Sequence, residues 1–390
     1  MNTEAVLFAL IRSVICGKAI SEEVKTACSQ EMLDRVHMLA AKHDLAHLVG
    51  QAVSKLALPE NEVLAKCKQV AMSAFVRYMQ LDYEYRRTCE ALEKAQISFM
   101  PLKGSVLRAY YPEPWMRTSC DVDILVRKED LKQAVTLLVK ALSYTEKERG
   151  PHDVTLRCPG GSYIELHFDL VEEGRANSAN TVLEAVWDHA VLREGYRYWY
   201  QMSDPFFYFY HIAHMAKHFE TGGCGIRPFI DLWLLDNVAK GDLANREALL
   251  QSGELLRFAQ AARKLSRVWF SGEDTDDLSK QLERFLLHGG TYGSASNRVA
   301  LQQKRKGGRL RYLFFRLFAP YEKLRAYYPI LEKHRWLMPV MQVRRWCMLL
   351  APNVAAMAKR ELTACSCMED NGSDDTGTLL EKLGLHSAPW

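Results

Sequence analysis

The segment that most narrows what this chain can fold into is Asp121-Val-Asp123-Ile-Leu-Val126. Strand periodicity sends both carboxylates to one side and Val122 and Ile124 to the other, so the segment reads as a strand with charge on one face and core on its back. Two acids at the mouth of an apolar strand are costly unless something binds them. A second Asp-x-Asp, Asp274 and Asp276, serves as a control: it lies in the polar run Gly272-Glu-Asp-Thr-Asp-Asp277 with no flanking apolar stretch and reads as a loop.

Around the acidic strand the hydrophobic pattern changes register twice. From Thr3 to about Ala95 apolar residues recur at three and four positions, as in Met32, Val36 and Leu39, which predicts helices. Ile97 to Phe168 alternates short strands with helices: strands at Ile97 to Met100 and Asp121 to Val126, a helix from Ser105 and another over Glu129 to Leu142, then strands near Val154 to Arg157 and Ser162 to Leu170. After Asn177 the pattern is helical again, with Pro205 and Pro228 at first helical positions behind Asp204 and Arg227. The expected class is α/β plus all-α: a small mixed-sheet domain (96–176) between an N-terminal helical region (1–95) and a C-terminal helical domain (177–364), with a mostly disordered tail (365–390).

Three hundred and ninety residues, 48% hydrophobic and 25% charged, suit a soluble globular protein with two or three cores. The ten cysteines show no C-x-x-C pair, which argues against a zinc site or a disulfide framework and for a reducing cytoplasm. The apolar stretch Met1 to Ile15 is interrupted by Glu4 and Arg12 and lacks a basic leader, so a signal peptide is not expected, and no run reaches a membrane span. The net charge of +4 conceals an asymmetry: residues 301–360 carry 14 Lys/Arg against two Glu, while residues 361–390 carry one Lys against six acids.

Two further motifs stand near the acidic strand in sequence. Lys103-Gly104-Ser105 falls where a strand gives way to a helix; glycine lets backbone approach a phosphate, free N–H groups and the Ser105 hydroxyl donate, and Lys103 adds a point charge. Alone, the same residues would also suit a tight turn with a capping serine. Beyond Asp123 by 42 positions comes Tyr163-Ile-Glu165-Leu-His167-Phe-Asp169, with Ile164, Leu166 and Phe168 on one face and Tyr163, Glu165, His167 and Asp169 on the other. Beside Asp121 and Asp123, Glu165 is the natural third ligand for divalent metal, because hard cations prefer oxygen. The absence of G-x-x-x-x-G-K-[ST] and G-x-G-x-x-G disfavours a P-loop or kinase reading.

The ordered set of Gly-Ser, Asp-x-Asp and a later strand acid resembles the nucleotidyltransferase fold of the DNA polymerase beta superfamily. More closely, Leu102-Lys-Gly104, Arg117 before Asp121-Val-Asp123, Glu165-Leu-His167, His214 to His218, Gly222-Gly223, Arg227 and Asp231 resemble the uncharacterised nucleotidyltransferase family of bacteria, over roughly residues 30–350. The resemblance implies attack of an acceptor hydroxyl on the α-phosphorus of a nucleoside triphosphate (NTP), with release of pyrophosphate. It implies two Mg2+ ions, or Mn2+ in their place, on Asp121, Asp123 and Glu165, with Lys103, Gly104 and Ser105 on the β- and γ-phosphates. Arg117, His214, Lys217, His218, Arg227 and Asp231 are carried over as nucleotide-binding candidates. One departure is that Asp121 follows Ser105 by 16 positions, more than in many superfamily members, so Tyr110-Tyr-Pro-Glu-Pro-Trp115 is expected to shape the acceptor pocket.

Read without the resemblance, Arg227 and Asp231 at i and i+4 form an ordinary helix ion pair, and His211, His214 and His218 share one helix face. Residues 304–345 mix cations with aromatics, a composition for a polyanion, an anionic membrane surface or a solvated helical face. The acceptor, whether sugar, metabolite, protein or RNA, is not legible. The alternative function is a non-catalytic nucleotide-, nucleic-acid- or membrane-surface-binding protein on the same fold.

Overall fold

A computed structural model describes residues 1–56, 62–171, 178–239, 241–291, 293, 295–305, 308–328, 330–349 and 377–385. The chain divides into two units, one of residues 1–215 and 226–280 and the other of 216–225 and 281–390.

The first unit opens with helices α1 (Thr3–Ile15), α2 (Glu22–Ala27), α3 (Gln30–Lys42), α4 (Ala46–Val53) and α5 (Glu62–Lys94). Asn2, Ser21 and Ser29 cap α1, α2 and α3, each accepting from an N–H in the first turn, which explains where these helices start. Helices α4 and α5 cross at Gly50, where a Cβ would lie 2.1 Å from the Cys67 carbonyl oxygen, so only glycine permits the approach.

A five-stranded sheet follows, with β1 (Phe99–Pro101), β2 (Asp121–Val126), β3 (Thr145–Arg149), β4 (Asp153–Arg157) and β5 (Tyr163–His167) in the order β1-β2-β5-β4-β3. Only β2 and β5 run parallel; the other neighbours are antiparallel. Val122, Ile124, Val126, Ile164 and Leu166 form one core with Leu81, Cys89 and Leu92 of α5 and with Ala134 and Leu138 of α7 (Leu131–Leu142). Full burial of each such aliphatic side chain stabilises by about 1.5–3 kcal/mol, so the helices fix which face of β2 and β5 is core. The acids are thereby committed to the opposite face.

The sequence pattern located β2 with the bounds found. It missed β3, all five of whose residues are exposed and four of which are charged, alternating in sign with no apolar face, as an edge strand allows. It also missed the small hairpin β6 (Ala190–Leu192) and β7 (Tyr200–Met202). The helix expected from Ser105 begins earlier, as α6 (Lys103–Leu107). Helix α8 (Ser178–Glu184) precedes the hairpin; α9 (Asp204–Thr221) and α10 (Arg227–Asn237) carry Pro205 and Pro228 at their starts, as the pattern anticipated. Helices α11 (Leu243–Ser252) and α12 (Leu256–Phe270) complete this unit, and Trp269 of α12 stacks on Phe8 of α1 at 4.7 Å.

The second unit is helical where described. Gly222 and Gly223 adopt φ of +133° and +109°, and a Cβ at either would press on Arg298 or Phe285, so the turn after α9 needs both glycines. In the tail expected to be disordered, residues 377–382 are helical and bury Leu379, Leu380, Leu383 and Leu385; the repeated leucines supply the apolar face that low-complexity linker lacks. Residues 365–376 and 386–390 lie outside the described residues. Among the described residues no helix is long and apolar enough to cross a membrane, and the cysteines are free thiols.

Candidate active site

Parallel pairing of β2 with β5 places Asp121 beside Tyr163, Asp123 beside Glu165 and Leu125 beside His167. Because paired residues in a parallel ladder share a face, Asp121, Asp123, Glu165 and His167 all rise from the side opposite the core. Two carboxylates 42 positions apart in sequence are thus nearest neighbours. The chain delivers the glycine turn to the same place: β1 pairs with β2 on its other edge, and the Leu102 N–H donates to the Asp123 carbonyl at 3.0 Å just before Lys103-Gly104-Ser105.

Asp123 is the electrostatic centre. Its Oδ1 accepts from Lys103 Nζ at 3.0 Å and from His167 Nε2 at 2.8 Å, and His167 Nε2 lies 3.6 Å from Glu165 Oε2. Burial raises the Asp123 carboxyl, but the Lys103 charge and the His167 hydrogen bond outweigh it and hold the group well below the usual carboxylate range. His167 is correspondingly raised, its hydrogen bond to Asp123 and the Glu165 carboxylate nearby overcoming the effect of burial. Tyr210 of α9 is buried beside this cluster, within reach of the charges of Lys103, Asp123 and Glu165.

Asp121 behaves differently. Burial, with Asp123 and Glu165 as like charges nearby, pushes its carboxyl up to about 6. The folded protein therefore keeps a proton that the unfolded chain has already released between about pH 4 and 6, and stability falls as pH rises through that window. In metal-free protein, Asp121→Asn is expected to raise the melting temperature at pH 7.5 by about 2–4 °C, a gap that closes toward pH 4, allowing for partial solvent screening of this carboxyl. Melting curves at the two pH values check it.

At the turn, Lys103 is held at a φ of +40°, a left-handed conformation that strains a residue with a Cβ and that its bond to Asp123 helps to retain. The Ser105 N–H donates to the Leu102 carbonyl at 3.2 Å, and among the described residues its buried hydroxyl has no partner. With only five residues, α6 offers little macrodipole, so what this turn presents is its local donors. Gly104 has an ordinary helical environment: a Cβ there would lie 3.6 Å from Arg117 Nη1 and 3.7 Å from Ser119, normal contact distances. Internal packing therefore tolerates a side chain at 104. Gly104→Ala is expected to melt within about 2 °C of the wild type yet to bind NTP about tenfold more weakly, as titration calorimetry would show.

The remaining expected site residues separate. Arg117 and Asp231 form a buried ion pair, Nε to Oδ1 at 2.7 Å, and Asp231 Oδ1 also accepts from the Tyr111 hydroxyl at 2.7 Å. Asp231 is fully enclosed, so its position supports bracing rather than ligand contact, and the same holds for Arg117, whose Nη1 donates to the Thr118 carbonyl at 2.8 Å. The i, i+4 pair of Arg227 with Asp231 does not form. Arg227 Nη1 instead donates to Asp44 Oδ2 at 2.7 Å and to the Thr118 carbonyl at 3.1 Å, because tertiary packing offers each charge a nearer partner than its own helix does. These two pairs clamp the loop that leads into Asp121. His214 is half-buried on α9, 6.4 Å between ring centres from Tyr210. Lys217 and His218 belong to the second unit. His211 is buried and its Nε2 donates to the Pro228 carbonyl at 3.0 Å, a structural role.

Sequence reasoning did not carry His167 into the site, although its place two residues after Glu165 on a strand put it on the right face. Asp44, Thr118 and Tyr210 had no such signal; each acts through tertiary contact.

An acid-bearing strand pair next to a glycine-serine turn is an arrangement able to hold cations against a phosphate-bearing substrate. The family model of an uncharacterised nucleotidyltransferase matches residues 29–271, and the chain belongs to that family. It is a nucleotidyltransferase. Searches of curated proteins and of solved structures found no match.

Proposed function

We propose that the enzyme moves a nucleoside monophosphate from an NTP to a hydroxyl acceptor and releases pyrophosphate, with divalent metal at the acidic face. The observation that carries this reading is the register pairing of Asp123 with Glu165 beside the Gly104 turn. The donor chemistry fits a cation: ligand atoms of Asp123, Glu165 and His167 all lie within 4.8 Å of one another, and Asp121 next to them is destabilised as an anion by burial and by its like-charged neighbours. Asp121, Asp123 and Glu165 would hold two Mg2+ ions, or Mn2+ in their place. When bound, such cations offset triphosphate charge and make a hydroxyl more acidic.

The chain's own residues supply the rest. Gly104 and the Ser105 hydroxyl donate to the β- and γ-phosphates, and the orphaned Ser105 Oγ is positioned to gain the partner it lacks. Lys103, now on Asp123, adds positive charge at the junction of acids and phosphates. Glu165, partly open to solvent, takes the acceptor proton while Asp123, more deeply set, fixes the attacking geometry. Arg117, Asp231, Arg227 and Asp44 hold the loop before Asp121 in register.

The acceptor-side partner is proposed to be polyanionic or presented at an anionic membrane. Exposed Phe314, Tyr327 and Trp336 alternate with exposed Arg311, Arg325 and Arg335 along the basic stretch, a contact that rising salt weakens. A cytoplasmic location is part of the proposal, resting on ten scattered cysteines with no C-x-x-C pair.

The test uses NTP labelled at the α- or the γ-phosphorus, incubated with enzyme, divalent metal and a desalted cell extract as acceptor source. Label from the α position is expected in the acceptor fraction and label from the γ position in pyrophosphate. Retention of the γ label in the acceptor would make the enzyme a kinase and overturn the proposal.

A further inference from the structure

Among the described residues, the donors that come nearest to closing on one point are not the three acids Asp121, Asp123 and Glu165. They are Asp123, Glu165 and His167, while Asp121 stands outside that set. We infer that His167 Nε2 is a metal ligand of this enzyme, and that the cation shared by Asp123, Glu165 and His167 is a first-row transition-metal ion of the Mn2+ to Zn2+ series rather than Mg2+.

The inference rests on the proposed metal-dependent reaction and deepens it. Its basis is backbone register. Glu165 is paired to Asp123 across the parallel ladder, and His167 follows Glu165 by one strand period, so its ring must project to the acidic face. An ion bonded to two donors at about 2.1 Å keeps them roughly 3.0–4.2 Å apart, depending on the angle between the bonds. His167 Nε2 is 3.6 Å from Glu165 Oε2 and 2.8 Å from Asp123 Oδ1, separations that a cation between them would need to change little. The side chains are already restrained: His167 and Asp123 are largely buried, which limits the rotamer freedom lost on binding. Lys103 Nζ on the same Asp123 oxygen is the positive charge that ion would share or displace, and the Nε2 proton now donated to Asp123 would leave to solvent as the metal bond forms.

Donor softness gives the metal class. Mg2+ dehydrates reluctantly and favours oxygen in near-octahedral geometry, whereas imidazole nitrogen suits transition-metal cations. A histidine in a mixed nitrogen-oxygen set therefore shifts preference away from Mg2+. The competing account is that His167 only orients Asp123 by a hydrogen bond and never touches metal.

Pulsed electron paramagnetic resonance on the full-length protein loaded with Mn2+ alone separates the two accounts. The expected result is 14N modulation from a directly bound imidazole, Mn2+ affinity at least tenfold above Mg2+ affinity, and loss of the modulation in His167→Gln with roughly tenfold weaker Mn2+ binding. Should His167→Gln fail to fold, 15N-histidine labelling of the wild type reads the same coupling without a substitution. Mn2+ bound without nitrogen coupling, and lost in Asp123→Ala, would overturn the role of His167 while leaving the proposed reaction standing. Failure of the wild type to bind Mn2+ or Mg2+ at all would overturn both.

Discussion

Asp123→Ala is expected to lower nucleotidyl transfer by about a thousandfold, a loss of roughly 4 kcal/mol of transition-state stabilisation. The size follows from how many partners this carboxylate holds at once. Lys103 Nζ and His167 Nε2 both donate to its Oδ1, and its backbone carbonyl accepts from Leu102 at the head of the glycine turn. Removing the side chain takes away the deepest acid of the proposed cation site and leaves two partly buried cationic or donor groups facing each other. The backbone link to Leu102 survives, so the turn stays in place and triphosphate binding without metal changes little. Single-turnover transfer of α-phosphorus label, compared with metal-free NTP binding by the same variant, checks both halves. Turnover within tenfold of the wild type would remove Asp123 from the chemistry.

The second large effect is on stability. Asp231→Ala is expected to destabilise the first unit by about 3–5 kcal/mol, because it leaves Arg117 as an uncompensated charge in a buried site. Burial alone would lower the Arg117 pKa, and it is the Asp231 carboxylate that more than reverses this, so the pair is mutually dependent. The Tyr111 hydroxyl loses its acceptor in the same variant. The paired replacement Arg117→Met with Asp231→Leu is expected to recover most of the loss, since an apolar pair of similar volume avoids the desolvation of both ions. Denaturant titration of the wild type and the two variants gives the answer, and an Asp231→Ala loss below about 1 kcal/mol would show the pair to be weakly coupled. Activity should fall in both variants even where stability returns, because Arg117 opens the loop that ends in Asp121 and its Nη1 is tied to the Thr118 carbonyl.

What the sequence made legible follows from which interactions are local. Strand periodicity alone placed Asp121 and Asp123 on the face away from the core, and the same rule applied to Glu165, since Ile164 and Leu166 had to be buried. The glycine turn was legible because a strand-to-helix junction needs few residues to specify it, though the helix begins two residues sooner than the pattern suggested. Strand β3 was hidden because an exposed, charged edge strand carries no apolar period to detect. The bracing pairs were hidden for a different reason. Arg117 and Asp231 are 114 positions apart and Asp44 and Arg227 are 183 apart, so nothing in local spacing favours them over the i, i+4 pairing that a helix offers. His167 occupies middle ground: its face was legible, but its closeness to Asp123 depended on the parallel register of β2 with β5.

Crystals grown with Mn2+ and an NTP analogue that resists cleavage at the α-phosphorus would show whether the acids and the glycine turn meet around one substrate. The anomalous difference map is expected to show a cation bonded to Asp123 and Glu165, with the triphosphate resting on Gly104 and Ser105. A cation bound elsewhere, or a triphosphate seated away from that turn, would contradict the convergence of acids and glycine on which the proposed reaction depends.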